Sequence, residues 1–306
     1  MRYLVPALVF LLAPLPALAQ SVTVLEAPTI FYKYGTAGAP GSDAAGCGTA
    51  PSNACSTCRF LWNRLLNEYD LNGQSVLIRF SGGVHNDTCA LSGRPRGQQS
   101  ARQIEFIGNM SSPASTEIAP AVGDAFSATF GAMYAVGGLM ARHTLSGQGV
   151  FTTGWGGDIQ LLGEIISLGD TGPRPDEAND LSASDGGMIE FYTPDTASDS
   201  FGVRADGNYW FDGPGQCAFD AGNLGVIQAN GNGQPDFFTF HWNGQRYSLA
   251  TACANAAGLV QIQNVTHVGT VNAAQQHIAT CGIIDTAGTG FPHTSAGTAP
   301  SCPLFN

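Results

Sequence analysis

Three acidic residues in the second half of the chain, Glu190, Asp206 and Asp212, have side chains suited to acid and base chemistry on sugars. Enzymes that hydrolyse glycosidic bonds use two carboxyl groups, about 5 Å apart for retention of configuration and roughly 6.5 to 9.5 Å apart for inversion. Outward carboxyls on neighbouring coils of a stacked β-structure stand about 4.8 Å or twice that apart. We therefore take these three acids as candidate catalytic residues. The alternative is that they only keep an acidic surface solvated.

Aromatic and basic side chains near these acids are the candidate substrate-binding residues. If Tyr209 and Phe211 point inward, strand alternation directs Trp210 and Asp212 outward. A pyranose ring has an apolar face that stacks on aromatic rings and hydroxyls that accept and donate hydrogen bonds. The alternative is that these rings pack on the sheet or beneath loops. The candidates for sugar binding are Tyr192, Arg204, Trp210 and Trp242.

Short strands must position these side chains, because the sequence is rich in residues that form turns. The chain contains 40 glycines and 17 prolines, spread along its length rather than gathered in a linker. One segment predicts a helix, near residues 57–70, with Thr57 as its cap and Arg64 four residues before Glu68. The predicted strands are 75–80, 103–107, 149–153, 158–162, 187–192, 200–203, 208–211, 237–241 and 259–263.

A loose repeat links several of these strands. A small cluster containing glycine precedes apolar residues at alternate positions in the segments 156–161, 186–191, 224–229 and 257–262. The intervals suit one coil of a parallel β-helix plus a loop of variable length. We therefore predict an all-β fold, a parallel β-helix over residues 75–285 with an N-terminal capping helix; a jelly roll or sandwich remains the alternative. The predicted core contains Val76, Ile78, Phe106, Ile159, Leu161, Ile189, Phe191, Val226, Val260 and Ile262.

The N-terminus and the charge balance predict export. Residues 1–19 combine a basic start, an apolar run and a small-residue cleavage site, as a secretory signal peptide does. We expect a secreted, periplasmic or cell-surface protein with a cap over residues 20–74, the β-helix over 75–285 and a C-terminal tail over 286–306. The net charge of −11 argues against a nucleic-acid partner, and no later stretch predicts a membrane span.

All eight cysteines follow the predicted cleavage site, and an even number in an exported chain favours disulfides. One coil separates Cys217 from Cys253, so stacked positions about 4.8 Å apart suit a bridge between them. Cys281 is predicted to pair with Cys302, and Cys47, Cys55, Cys58 and Cys89 to staple the cap in an open connectivity. A zinc or redox reading of the CxxC at residues 55–58 is the alternative. We expect no metal and no other cofactor.

Several short motifs resemble those of bacterial and phage-tail, tailspike-like proteins with a right-handed parallel β-helix of the pectin-lyase-like superfamily. The resemblance is carried by residues 41–43, 70–79, 82–84, 106–109, 207–213 and 244–247, and it covers most of residues 30–285. It implies a helix at the N-terminal end of the coil stack. The polygalacturonase signatures N-T-D, D-D, H-G and R-I-K do not occur here, so that mechanism is not carried over.

The resemblance leaves two main functional hypotheses. The first is a secreted protein that binds extracellular polysaccharide without catalysis, and the second is a polysaccharide hydrolase or lyase acting on the same strip. In pectate-lyase-like members acidic residues hold calcium and an arginine acts as base. Only Arg204 and Asp206 offer such a grouping here, and an exposed ion pair is the alternative. A tail-like adhesion module would in addition form a homotrimer.

Overall fold

The protein is an all-β chain built almost wholly from parallel strands. The computed structural model describes residues 22–34, 41–143, 149–170, 178–192, 207–230, 238–263, 265–287 and 291. Short 3₁₀ helices cover Pro51–Asn53, Ala101–Gln103 and Pro113–Ser115, and the α-helix α1 covers Cys58–Glu68. The strands are β1 Thr23–Val24, β2 Thr29–Lys33, β3 Tyr69–Asp70, β4 Val76–Phe80, β5 Gly83–His85, β6 Cys89–Ser92, β7 Ile104–Ile107, β8 Thr116–Ile118, β9 Phe126–Thr129, β10 Met133–His143, β11 Gly149–Thr153, β12 Asp158–Asp170, β13 Asn179–Ala183, β14 Met188–Phe191, β15 Asn208–Phe211, β16 Gly215–Ala221, β17 Val226–Asn230, β18 Phe238–Asn255, β19 Leu259–Gln263, β20 Val265–Thr280 and β21 Ile283–Asp285.

Three parallel ladders account for the main sheet. Ladder A pairs β2, β4, β7, the start of β10, the start of β12, β14, β17, β19 and β21 in that order. Ladder B pairs β5, β8, the later parts of β10 and β12, β15, and the first parts of β18 and β20. Ladder C pairs β6, β9, β11, β13, β16, and the last parts of β18 and β20. The chain visits A, B and C in turn, an arrangement consistent with a parallel β-helix or solenoid.

The glycine clusters found in the sequence form the same turn in successive coils. Each turn leads from ladder C back to ladder A and is closed by a backbone hydrogen bond. Gly157 N donates to Gly154 O at 3.0 Å, and Gly258 N donates to Asn255 O at 2.7 Å. Both central residues have positive φ, which is the type I′ pattern. A Cβ on Gly157 would lie 2.1 Å from the carbonyl oxygen of Ala128 in the preceding coil, so only glycine fits. The repeat is therefore a structural unit, one turn per coil.

The hydrophobic core lies between the ladders and contains nine of the ten predicted residues. One inward column on ladder A places Ile78, Phe106, Val136, Leu161 and Phe191 in register on successive coils. The prediction for Val226 is wrong, since this side chain is half-buried while its neighbour Ile227 is buried. The reason is register: Ile227 pairs with the inward Ile189, whereas Val226 pairs with Met188.

The predicted helix is confirmed as α1. The Thr57 side-chain oxygen accepts a hydrogen bond from Phe60 N at 3.2 Å, which satisfies one of the free amides of the first turn. Leu61 and Leu65 are buried in the core, and Trp62 lies with its ring centroid 5.9 Å from that of Tyr134. Burial of this apolar face fixes the helix against the strands. Its role as a cap of the coil stack stays a prediction.

Disulfides link the described segments. Cys47 pairs with Cys55 and Cys58 with Cys89, so the two cysteines of the CxxC bond to other partners and not to each other. The predicted Cys217–Cys253 bridge is confirmed. Cys281 is also disulfide-bonded, and its predicted partner Cys302 lies outside the described residues.

The predicted signal peptide and most of the predicted tail also lie outside the described residues, as does the predicted strand 200–203. Among the residues that are described, no helix has the length and hydropathy needed to cross a bilayer.

Candidate functional site

The predicted site residues do not form one strip. Glu190 and Tyr192 lie at ladder A, with Glu190 on its outer side, whereas Trp210 and Asp212 belong to ladder B. Arg204 and Asp206 lie outside the described residues. The structure therefore separates Glu190 from Asp212, and these two acids do not form a catalytic pair on one face.

Trp242 lies in the interior, and the expectation that it is exposed is wrong. Its side chain is 2% exposed, and its ring stacks on that of Phe211 with centroids 4.3 Å apart. Register explains this position, because Trp242 pairs directly with Phe211 and so shares its inward direction. The indole Nε1 donates a hydrogen bond to His267 Nδ1 at 3.1 Å. Trp242 offers no open face on which a sugar can stack.

A column of polar side chains runs along the outer face of ladder A. Gln160, Glu190 and Gln228 occupy matching positions on three consecutive strands. Gln160 Nε2 donates to Glu190 Oε2 at 2.8 Å, and Gln228 Nε2 donates to Glu190 Oε1. The register continues through Gln261 to Asp285. We refer to these five residues as the polar column.

Asp158 lies beside the polar column and is only 7% exposed. Burial, and secondly the charge of Glu190, raise the pKa of Asp158 to about 7. Among the described atoms, Asp158 Oδ1 and Gln160 Oε1 have no hydrogen-bond partner. Asp158 pairs with Met188 on the neighbouring strand, and Glu190 lies two residues after Met188 on that strand. This offset corresponds to about 8 Å between the two Cα atoms.

Tyr192 is half-buried at one end of the same face. The Arg102 guanidinium lies 5.0 Å from its ring centroid, and Arg102 Nε also donates to Glu105 Oε1 at 3.0 Å. The other contacts of Tyr192 are to an apolar cluster that includes Leu77 and Leu162. Most of the tyrosine surface is therefore used within the protein, in a cation–π contact and in packing.

Trp210 presents an edge rather than a face. Its ring lies almost parallel to that of His241, with centroids 4.9 Å apart and planes 12° apart. Register places Ile166 on its other side. Burial lowers the pKa of His241, whose Nε2 donates to Asn208 Oδ1 at 3.0 Å. Stacking along the coil axis thus covers the surface that the sequence hypothesis assigned to sugar.

Two exposed aromatic residues that the sequence hypothesis missed lie at the turns leading into ladder A. Phe130 is 64% exposed and Trp155 is 61% exposed. Their ring centroids lie 5.9 Å apart and their ring planes are inclined by 10°, so the two rings are stacked. Both have left-handed backbones, with φ of 51° and 52°. This conformation costs an L-residue roughly 1–2 kcal/mol, and bulky residues rarely adopt it. The signal in the sequence was an aromatic residue directly before a turn glycine, at Gly131 and Gly156. We refer to Phe130 and Trp155 as the aromatic pair.

Two described clusters have the spacing of metal ligands, Asp43 with Cys47 and Cys55, and Asp87 with Cys58 and Cys89. All four cysteines are in disulfides and so offer no thiolate to a metal. Asp43 instead accepts hydrogen bonds from Ser56 N and Thr57 N, at 2.9 and 3.0 Å. These clusters are structural.

No protein-family model, curated protein or solved structure matches this chain. The fold assignment therefore depends on the strand ladders themselves.

Proposed function

We propose that the protein is a secreted or cell-surface, right-handed parallel β-helix protein of the pectin-lyase-like type that binds an extracellular polysaccharide. Three disulfides among the described residues support an oxidising compartment. The observation that carries the binding function is the aromatic pair beside the polar column on the outer side of ladder A. Assembly into a homotrimer belongs to the same proposal, and the mass of the protein in solution tests it.

The aromatic pair suits the apolar faces of sugar rings. Trp155 precedes Asp158, the first residue of β12, by only three residues. The aromatic pair therefore lies next to the start of the strand that carries Gln160 of the polar column. Two nearly parallel, solvent-exposed rings offer a platform on which a pyranose ring can stack. The turn imposes the left-handed conformation in successive coils, as at Asp185 and Asn223, so the feature particular to these two turns is the bulky aromatic side chain. Stacking of a ligand gives these two residues a role that folding alone does not.

The polar column suits the hydroxyls of a polymer. Gln228 and Gln261 provide amide donors and acceptors on neighbouring strands about 4.8 Å apart. A repeated ladder of this kind matches a ligand that itself repeats along one direction. Because three of its five residues are uncharged, we expect a neutral polysaccharide rather than a polyanion, which the net charge of −11 would repel.

Retention on a panel of immobilised neutral and acidic polysaccharides tests this function. The double variant Phe130→Ala with Trp155→Ala should weaken binding to the retained polymer by at least about tenfold, since each aromatic contact is worth about 1 kcal/mol. Leu224→Ala is the matched control, because Leu224 is 67% exposed in the equivalent turn of a later coil. Retention that is equal in the double variant and in the control would refute the proposed surface.

A second candidate function is cleavage of the same polymer, as a polysaccharide hydrolase or lyase. The position of Asp158 beside Glu190 favours it. A carboxyl with a pKa of about 7 can donate a proton near neutral pH, and Glu190, held by two amides, can act as the base. Their Cα atoms lie about 8 Å apart on neighbouring strands of one face, an arrangement that suits two carboxyls acting on one glycosidic bond. This pairing is an alternative to a pair drawn from Glu190, Asp206 and Asp212, of which Asp206 lies outside the described residues.

Release of reducing ends or unsaturated products from the retained polymer distinguishes the two functions. If the protein is an enzyme, Asp158→Asn and Glu190→Gln should each lower the rate by about 100-fold or more. Asp212→Asn should leave the rate unchanged, because this exposed residue lies on ladder B. Retention of polymer without any product from the wild-type protein would leave binding as the function and exclude catalysis.

A further inference from the structure

A cleft lies on the outer face of ladder C, away from the surface described above. It has a volume of about 250 Å³ and is lined by parts of β13, β16, β18 and β20. The Cys217–Cys253 disulfide forms part of its wall, with Cys217 2% and Cys253 8% exposed. This volume is just below the range of about 300–1,000 Å³ found for pockets that take drug-sized ligands. It suits a single small ring.

The polar part of the cleft is held in place by hydrogen bonds. Asn179 is 8% exposed, and its Nδ2 donates to Asp220 Oδ2 at 3.0 Å while its Oδ1 accepts from Cys217 N at 3.0 Å. Asp220 also accepts a hydrogen bond from Ser182, and burial raises the pKa of Asp220. A carboxylate has about four acceptor positions, so the two bonds from Asn179 and Ser182 leave acceptor capacity for a ligand. The cleft therefore contains a fixed acceptor that does not depend on ligand for its position.

The remaining wall of the cleft combines apolar and neutral polar groups. Leu249, which is 45% exposed, and Ile278 supply apolar surface next to the disulfide. Gln216, Asn255 and Thr280 supply two amides and a hydroxyl. Among the described residues that line the cleft, none is basic, so an anionic ligand would find no counter-charge there. An apolar wall with several neutral hydrogen-bonding groups fits a ring with an apolar face and hydroxyls at its edge.

We propose that this cleft binds one neutral sugar unit, with Asp220 accepting hydrogen bonds from its hydroxyls and Leu249 and Ile278 packing against its apolar face. The inference rests on the proposed glycan-binding function for the class of ligand, but its residues are separate from the polar column and the aromatic pair. The cleft is a second site, for a single ring rather than for a length of polymer.

Ligand-observed NMR and calorimetry with a panel of neutral monosaccharides and methyl glycosides, each at about 10 mM, test the cleft. At least one sugar of the panel should bind the wild-type protein, and Leu249→Trp, which fills the cleft, should weaken that binding by at least about tenfold. Asp220→Asn, which keeps the size of the side chain but removes the carboxylate, should also weaken it. The matched control is Val268→Trp, because Val268 is 46% exposed on the outer side of ladder B.

The outcomes separate this inference from the proposed function. Sugar binding that is lost in Leu249→Trp but kept in Val268→Trp and in the Phe130, Trp155 double variant supports the cleft. Retention of polymer by a wild-type protein that binds no sugar of the panel overturns the cleft and leaves the proposed function standing. Sugar binding that is unchanged by Leu249→Trp also overturns the cleft.

Discussion

Replacing Asp180 by asparagine should stabilise the protein at neutral and alkaline pH and have little effect in acid. Asp180 is fully buried inside the coil stack. Ser167 Oγ donates to its Oδ1, and the Tyr247 hydroxyl donates to its Oδ2. Burial raises the pKa of Asp180 to about 7 in spite of these two hydrogen bonds. An asparagine has the same shape and no charge, so it removes the cost of ionising the group in the interior.

The size of the effect follows from the displacement of the pKa from 3.8 to about 7. One pKa unit corresponds to about 1.4 kcal/mol, so the full difference is worth about 4 kcal/mol in the free energy of unfolding. A raised carboxyl pKa contributes stability that is complete below the unfolded pKa, near 4, and is lost as the pH rises through 7. The variant should therefore equal the wild type near pH 4 and exceed it by an amount that grows up to about pH 7 and then stays constant.

Other groups also titrate between these values, and only the difference between the two proteins isolates Asp180. Burial lowers the pKa of His85 and of His267 to about 4, so their neutral forms add stability as the pH rises from 4 to 6.5. The raised pKa of Asp158 acts in the opposite direction. All three groups are present in both proteins, and their contributions cancel in the comparison.

Urea unfolding followed by intrinsic fluorescence, at pH steps from about 4 to 8, measures the difference in unfolding free energy. Disulfides stay oxidised throughout so that the unfolded states match. A difference that grows from about pH 4, reaches half of its final size near about pH 5.5 and levels off above about pH 7 supports a neutral buried carboxyl. A difference that is constant across the range, or a variant less stable at pH 8, would refute the reasoning.

Three other changes have expected outcomes. Asp87→Ala should destabilise the fold by about 3 kcal/mol in urea unfolding. In the wild type the buried Lys33 Nζ lies 2.8 Å from Asp87 Oδ1, and the variant leaves this ammonium without its charged partner. Replacing both Cys217 and Cys253 by alanine should cost about 4 kcal/mol, given a sequence separation of 36, and reduction should then have less effect on the variant than on the wild type. Leu224→Gly should raise stability by about 1 kcal/mol, since Leu224 is exposed and has φ of 66°; a lower melting temperature would contradict this.

Local sequence was sufficient to predict the elements whose signals are local. The strands Gly149–Thr153, Asn208–Phe211 and Leu259–Gln263 were predicted with the bounds that the structure has. The type I′ turns were visible as glycine clusters, because only glycine avoids the backbone of the preceding coil. The helix was predicted from its cap and its apolar face, and the Cys217–Cys253 bridge from the spacing of one coil.

Strands made of small or polar residues were missed. Asn179–Ala183 and Val265–Thr280 contain few large apolar side chains and no clear alternation. They are strands because the coils before them supply a ladder of backbone donors and acceptors, a contribution that is absent from their own sequence. Tertiary pairing outweighs local propensity at such positions.

The amino-acid sequence by itself determined the period of the fold, because alternation of side chains and the need for glycine at each turn are properties of neighbouring residues. It did not determine which strands lie in the same ladder, or which side chains of neighbouring strands lie beside each other. Those depend on loops of unequal length and on the register of strands far apart in the chain. Tertiary structure therefore placed Trp242 inside, separated Glu190 from Asp212, brought Asp158 beside Glu190, and stacked Phe130 with Trp155 across two coils. The physical reason is that register is set by hydrogen bonds between coils, which no local pattern encodes.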